Sequence, residues 1–302
     1  MKLVSYIPIP ALFDFHRTAL NQTQYREQAG SNLYKAGTYY RGLNWGDCPF
    51  VVAARQDGTK IEVTIPGGET EQQMEFGLRS IRQLLSLDVP LDGFYSMLKG
   101  DPVLASRVQE LWGLRPQRME SVFEALVMAV IGQQISGSVA RVIRDEIVNH
   151  YGRHLEADGY TIPVFPCAEA LIEAGRQGLR SHKLSERKAD YILNVARHAQ
   201  EGLLDSSRFD GWEDSQIIDE LTSIRGVGRW TAEWVLMGAL GRMDAFPTGD
   251  LALRRAVAEL YFQGEEITVE QLKEFGELRW RPYRGLVTTY LFARIRKDRV
   301  SS

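Results

Sequence analysis

The chain has 302 residues, of which 44% are apolar and 25% charged, and a formal net charge of −3. That length allows two or three domains with sizeable cores, and the composition is that of a soluble globular protein. No apolar run approaches the ~18 residues that a membrane span needs, and the opening stretch, Met1 to His16, has prolines and an acid inside its apolar part, so it does not read as a secretory signal. Two cysteines, Cys48 and Cys167, stand far apart. They point to a reducing, cytoplasmic compartment and cannot build a four-cysteine metal or cluster site.

Residues 1–98 read as an α+β domain, an antiparallel sheet with helices. Strands are predicted at Leu3 to Ile9, Thr38 to Leu43, Pro49 to Arg55 and Lys60 to Ile65, with turns at Gly46-Asp47 and Asp57-Gly58. A helix follows from Glu69 to Leu87, with Met74, Leu78, Ile81, Leu84 and Leu85 on one face. Residues 99–302 have helical period almost throughout and read as an all-α body of two subdomains with a cleft between them. Ser121 to Ile131 is a buried helix. It ends in the polar loop Gly132-Gln133-Gln134-Ile135-Ser136-Gly137 before a new helix through Arg141 and Ile147. Pro166 to Ala174 reads as a helix with proline in its first turn. Ser185 caps a long helix through Gln200. Thr268 and Gln271 make a capping box.

The most informative stretch is Leu221 to Asp250. A helix carrying Ile217, Ile218, Leu221 and Ile224 ends at Arg225-Gly226-Val227-Gly228, and a new apolar helix starts at Arg229. Two glycines permit a sharp turn, and the helix N-terminus that follows offers unpaired N–H groups to an anion such as phosphate. Asp250 stands in a breaker-rich loop before the next helix. Gly-x-Gly also serves as a plain helix–helix turn, and an Asp before Leu251 also serves as a plain N-cap.

Ile224-Arg225-Gly226-Val227-Gly228-Arg229-Trp230-Thr231-Ala232, followed by Asp250, resembles the signature of the helix-hairpin-helix DNA glycosylase superfamily, in its 3-methyladenine DNA glycosylase II (AlkA-like) branch. Leu184 to Ile192 is similar to the family's spacing, and the aromatics around Phe13-Asp14-Phe15 and Tyr39-Tyr40-Arg41 fall where the family has comparable clusters. The resemblance implies a monomeric base-excision-repair enzyme acting on damaged double-stranded DNA, nucleoid-associated if the chain is bacterial. It would flip out alkylated purines and hydrolyse the N-glycosidic bond with the Asp250 carboxylate. The hairpin Arg225, Gly226, Val227, Gly228, Arg229 and Thr231 would grip DNA, and Gln133 or Gln134 would fill the space left by the extruded nucleotide. An apolar residue stands at the position of Gln134 in the best-known alkylation enzyme of this type. The base pocket would comprise Trp230, Trp234, Trp280, Tyr283, Leu251 and Phe15. The resemblance also suggests a structural monovalent cation at the hairpin carbonyls. No cofactor or catalytic metal is expected, since the five histidines are scattered without ligand spacing.

The residue aligned with the lysine of strand-nicking relatives is Trp230, so a monofunctional glycosylase is expected. Glu233, expected to face solvent, and Asp244 are second-choice acids. From Arg279 to Val300, seven cations (Arg279, Arg281, Arg284, Arg294, Arg296, Lys297, Arg299) against Asp298 give a local charge of +6, expected to contact phosphates. The alternatives are a non-catalytic DNA-binding module, or a glycosylase for deaminated or oxidised bases.

Overall fold

The computed structural model describes residues 2–46, 48–68 and 70–301. Asp47 of the expected Gly46-Asp47 turn and Glu69, the expected start of the first long helix, lie outside them. β1 (Lys2–Pro8) and α1 (Phe15–Gln22) lead into a run of strands: β2 (Gln28–Ala29), β3 (Asn32–Lys35), β4 (Thr38–Leu43), β5 (Phe50–Asp57) and β6 (Lys60–Pro66). They form one antiparallel sheet in the order β1-β6-β5-β4-β3-β2. Alternation places Ile61, Val63 and Ile65 on the face covered by α2 (Glu71–Leu84), where Ile81, Leu84 and Leu85 are buried. Thr70 and Gln73 cap α2 reciprocally.

The helical body follows, with α3 (Asp92–Leu98), α4 (Pro102–Val108), α5 (Val122–Gly132) and α6 (Gly137–Tyr151). It carries one two-stranded hairpin, β7 (His154–Ala157) with β8 (Tyr160–Pro163). Asp158 and Gly159 both have positive φ there, the geometry that an Asp-Gly hairpin turn requires. Its Ala157 and Ile162 join Leu33, Tyr40, Val51 and Ala53 on the far face of the sheet. α7 (Ala168–Ser181) starts two residues after Pro166, with Cys167 as N-cap, and is interrupted at Gly175, whose φ is +62°. α8 (Glu186–Gln200), α9 (Asp214–Ser223), α10 (Arg229–Gly238), α11 (Leu251–Tyr261), α12 (Val269–Arg279) and α13 (Arg284–Ser301) complete the chain.

Two helical cores result. One gathers α5 to α10. The other gathers α3, α4 and α11 to α13. The chain crosses between them in the loop before Asp250: Ala245 packs in the first core and Phe246 in the second. The loop that carries the carboxylate is therefore at a seam between two packed bodies. No helix among the described residues is long and apolar enough to cross a membrane.

The sheet is tied to α5 by an ion pair, Arg41 Nη2 to Glu124 Oε2 at 2.6 Å, with side chains only 1% and 4% exposed. The same Glu124 oxygen accepts the Glu120 N–H at 3.0 Å. Burial pushes the Glu120 carboxyl from 4.5 to about 7, against the opposing pull of Arg41 and with help from the Glu124 charge. A carboxyl raised on folding binds more protons in the native state, so stability is lost as pH rises through this window, from 4.5 to about 7. Thermal denaturation across that range is expected to show a falling melting temperature in the wild type and a flatter profile in Glu120→Gln. Parallel profiles would be the contrary result.

Candidate active site

α9 ends at Ser223 with Ile224 as its C-cap, and the Val227 N–H donates to the Ile224 carbonyl at 2.9 Å to close the turn. Gly226 takes φ +100°, and a Cβ there would collide with the Tyr191 ring of α8. Only glycine meets both conditions. Asn194 Nδ2, also on α8, donates to the Arg225 carbonyl at 3.3 Å. Gly228 is the N-cap of α10 and supplies no side-chain acceptor. The first amides of α10 therefore lack a side-chain cap, as an anion site requires.

Of the hairpin residues, Arg225, Gly228 and Arg229 are exposed. Val227 is buried in the first helical core. Thr231 is 1% exposed, so its side chain is not presented to DNA. The wedge expectation also divides. Gln133 is not at the loop tip: its Nε2 donates to the Gly226 carbonyl at 2.9 Å and to Thr231 Oγ1 at 3.1 Å. Gln134, at φ +56°, and Ile135 are exposed.

Asp250 meets both of its sequence readings at once. Its Oδ1 accepts the N–H groups of Ala252 and Leu253 at 2.9 and 3.1 Å, so it is the N-cap of α11. Its Oδ2 accepts the Trp230 indole N–H at 3.1 Å. Trp230 meets Trp234 edge-on, with centroids 6.2 Å apart, as spacing of four on one helix dictates. Trp234 in turn lies 5.4 Å from Phe292 of α13. Asp250, Trp230 and Trp234 are half-buried, and Leu251 beside them is 48% exposed.

Three expected pocket residues stand elsewhere. Trp280 is 0% exposed, packed among Phe246, Tyr261 and Phe275, and its indole donates to Asp101 Oδ2 at 3.2 Å. Phe15 is buried at the sheet, against Phe13 and Tyr34. Tyr283 leans on Phe94 with its hydroxyl against Gly93 of α3. Burial in a core explains the first two: an aromatic ring is the largest apolar payload a chain can place there. The Phe292 contact with Trp234 was not foreseen, since nothing in the chain links it to a residue 58 positions earlier.

The other acids are already matched to cations. Glu233 is buried, contrary to expectation, and pairs with Arg229 at 3.0 Å; burial raises its carboxyl, with Arg229 opposing. Asp244 takes Arg284 Nε and Nη2 at 2.8 and 2.6 Å. The C-terminal cations are mostly engaged inside the fold, contrary to the phosphate-contact expectation. Arg294 and Lys297 pair with Glu110, Arg281 and Arg284 with Asp244 and Glu277, and Arg296 donates to Asn21.

Among the described residues no three His, Cys, Asp or Glu side chains gather to hold a metal ion. At the hairpin, the neutral carbonyls of Ile224, Arg225 and Gly226 are of the right donor type for a monovalent cation, although each already accepts one hydrogen bond from the protein.

An uncapped helix entered through a glycine turn, with a carboxylate held against an aromatic pair at a seam between two helical cores, defines a helix-hairpin-helix site of the kind that serves DNA base excision. Residues 127–282 match the family model of the HhH-GPD superfamily of base excision DNA repair proteins. The chain belongs to that superfamily, in its AlkA-like branch. It is 30% identical over 215 residues, 71% of each chain, to the DNA-3-methyladenine glycosylase of Bacillus subtilis (strain 168). The solved 3-methyladenine DNA glycosylase of Archaeoglobus fulgidus is 30% identical, covers 99% of both chains and superposes with a TM-score of 0.86. The Schizosaccharomyces pombe enzyme Mag1, solved with abasic DNA, is 25% identical over 67% of this chain and 95% of its own, with a TM-score of 0.57.

Replacing Gly226 by alanine combines a disallowed φ with the Tyr191 collision. A loss of about 1–3 kcal/mol in unfolding free energy is expected, with weaker DNA binding, measured by denaturant titration and by fluorescence anisotropy. An unchanged midpoint and affinity would show that the turn tolerates a side chain.

Proposed function

We propose that the protein is a DNA glycosylase that extrudes an alkylated purine from duplex DNA and hydrolyses its N-glycosidic bond, with Asp250 as the catalytic carboxylate. The observation that carries this reading is the Asp250 side chain itself. It is half-buried, among the described residues it is matched to no cation, unlike Glu233 and Asp244, and it accepts the indole N–H of Trp230, which packs on Trp234.

As the bond breaks, positive charge grows on the sugar, and a fixed anion beside it lowers the barrier. Water then adds to the anomeric carbon and gives up a proton, which the carboxylate directs and solvent carries off. The bonding electron pair leaves with the base. An alkylated purine that is already cationic departs neutral, so no strong general acid is required. Aromatic faces favour such a ring over a neutral one, which Trp230, Trp234 and Phe292 would exploit. The uncapped start of α10, flanked by the exposed Arg225 and Arg229, would hold the backbone phosphates.

Asp250→Asn is expected to slow release of methylated purines from duplex DNA on the order of 10³-fold, with DNA affinity largely kept. Wild-type turnover in that variant would reassign the carboxylate. Because Trp230 occupies the position of the lyase lysine, borohydride treatment during turnover is expected to trap no protein–DNA adduct. A trapped adduct would make the enzyme bifunctional.

A further inference from the structure

The loop after α5 and the hairpin before α10 are 93 residues apart in the chain, yet one side chain joins them. The Gln133 amide donates both of its hydrogens, one to the Gly226 carbonyl at the crest of the hairpin and one to Thr231 Oγ1 in the first turn of α10. Thr231 is almost fully buried, so that acceptor has no solvent to fall back on. The crest is held from its other side by the Tyr191 ring against Gly226 and by Asn194 on the Arg225 carbonyl. The C-terminal carbonyls of α5 are fixed as well: Arg144 donates to Met128 and Lys188 to Ile131, cations at the negative end of a helix. Gln133 therefore spans two rigid supports. Next to Thr231 stands Trp230, whose indole holds Asp250.

We propose that Gln133 is a positioning residue. It sets the first turn of α10, and through Trp230 the Asp250 carboxylate, relative to the loop that enters DNA. Entry into the helix then falls to the residues that follow it, Gln134 at φ +56° and Ile135, both exposed; an apolar or amide side chain suffices to occupy a vacated base position. The chemistry requires this residue type. A glutamine offers two N–H groups at the end of a side chain long enough to reach both acceptors, and a carboxylate of the same length would face the Gly226 carbonyl with no hydrogen to give. The proposal rests on the reading of Asp250 given above.

The test is a double-mutant cycle on the full-length protein with Gln133→Met, Thr231→Val and the pair, using duplex DNA with a single 7-methylguanine. Single-turnover excision at saturating enzyme is expected to fall about 10-fold in Gln133→Met, as befits loss of hydrogen bonds to a buried group. The double variant is expected to fall no further than Gln133→Met alone, and KM is expected to stay near that of the wild type. Fluorescence of a 2-aminopurine placed beside the lesion should report undiminished extrusion in Gln133→Met and reduced extrusion in Gln134→Ala. Multiplying losses in the double variant, or lost extrusion in Gln133→Met, overturns the proposal. Thr231→Val supplies the coupling independently if Gln133→Met folds poorly, because a slowed rate in it at unchanged KM is already the expected signature and a wild-type rate refutes it. Asp250→Asn in the same assay separates the two readings: full activity there sinks the catalytic assignment, whereas an inactive Asp250→Asn with an additive cycle sinks only the brace.

Discussion

Everything at this site depends on how one carboxylate is held. Asp250 receives three N–H donors, two from the helix it starts and one from the indole of Trp230. The backbone pair fixes the carboxylate to α11, which belongs to one helical core, while the indole fixes it to α10, which belongs to the other. The anion is thus a joint between two packed bodies, and in the proposed function a reagent as well. A flexible carboxylate would have to be oriented during each turnover; in that function, one held by three donors would be oriented in advance, so that its environment need not reorganise as charge develops. The two oxygens divide the joint between them: Oδ1 serves the start of α11 and Oδ2 serves Trp230 of α10.

The hairpin applies the same economy to the backbone. Its turn needs glycine twice over, for the sign of φ and for the approach to Tyr191, and its second glycine leaves the start of α10 without a side-chain cap. What would be a defect in a structural helix becomes, in the proposed function, the end that faces phosphate. The Archaeoglobus fulgidus enzyme superposes over nearly the whole chain, so it shares this overall fold.

Much of this was legible in the sequence, for definite reasons. Period-2 and period-3.6 patterns located four of the strands and the main helices, and the capping residues Ser185 and Thr268 marked helix starts because a side-chain acceptor at that position has a local partner whatever the tertiary fold. The glycine turn of the hairpin and the N-cap at Asp250 were legible because their requirements are local. What failed was tertiary. Trp280 and Phe15 were read as pocket walls, yet ring size alone does not say which aromatic is enclosed. Glu233 was read as solvated, yet four residues from Arg229 it pairs and is buried. The basic C-terminal stretch was read as a set of phosphate contacts, but Glu110, Asp244 and Glu277 meet it from within the fold. Gln133 was read as a wedge because its partners, Gly226 and Thr231, lie far along the chain. The short strands β2 and β3 have too few residues for a period to register.

The Arg41–Glu124 pair bears on how the molecule can be dissected. Removing the sheet would strand Glu124 as a lone anion inside the central helix, and breaking a buried pair in this way costs about 3–5 kcal/mol. That helix ends in the loop from Gln133 to Ser136, which in the proposed function enters DNA. The β-layer is accordingly a foundation under that loop rather than a detachable appendage, and an attempt to shorten the protein to its helices would disturb the loop from the opposite end of the same rod.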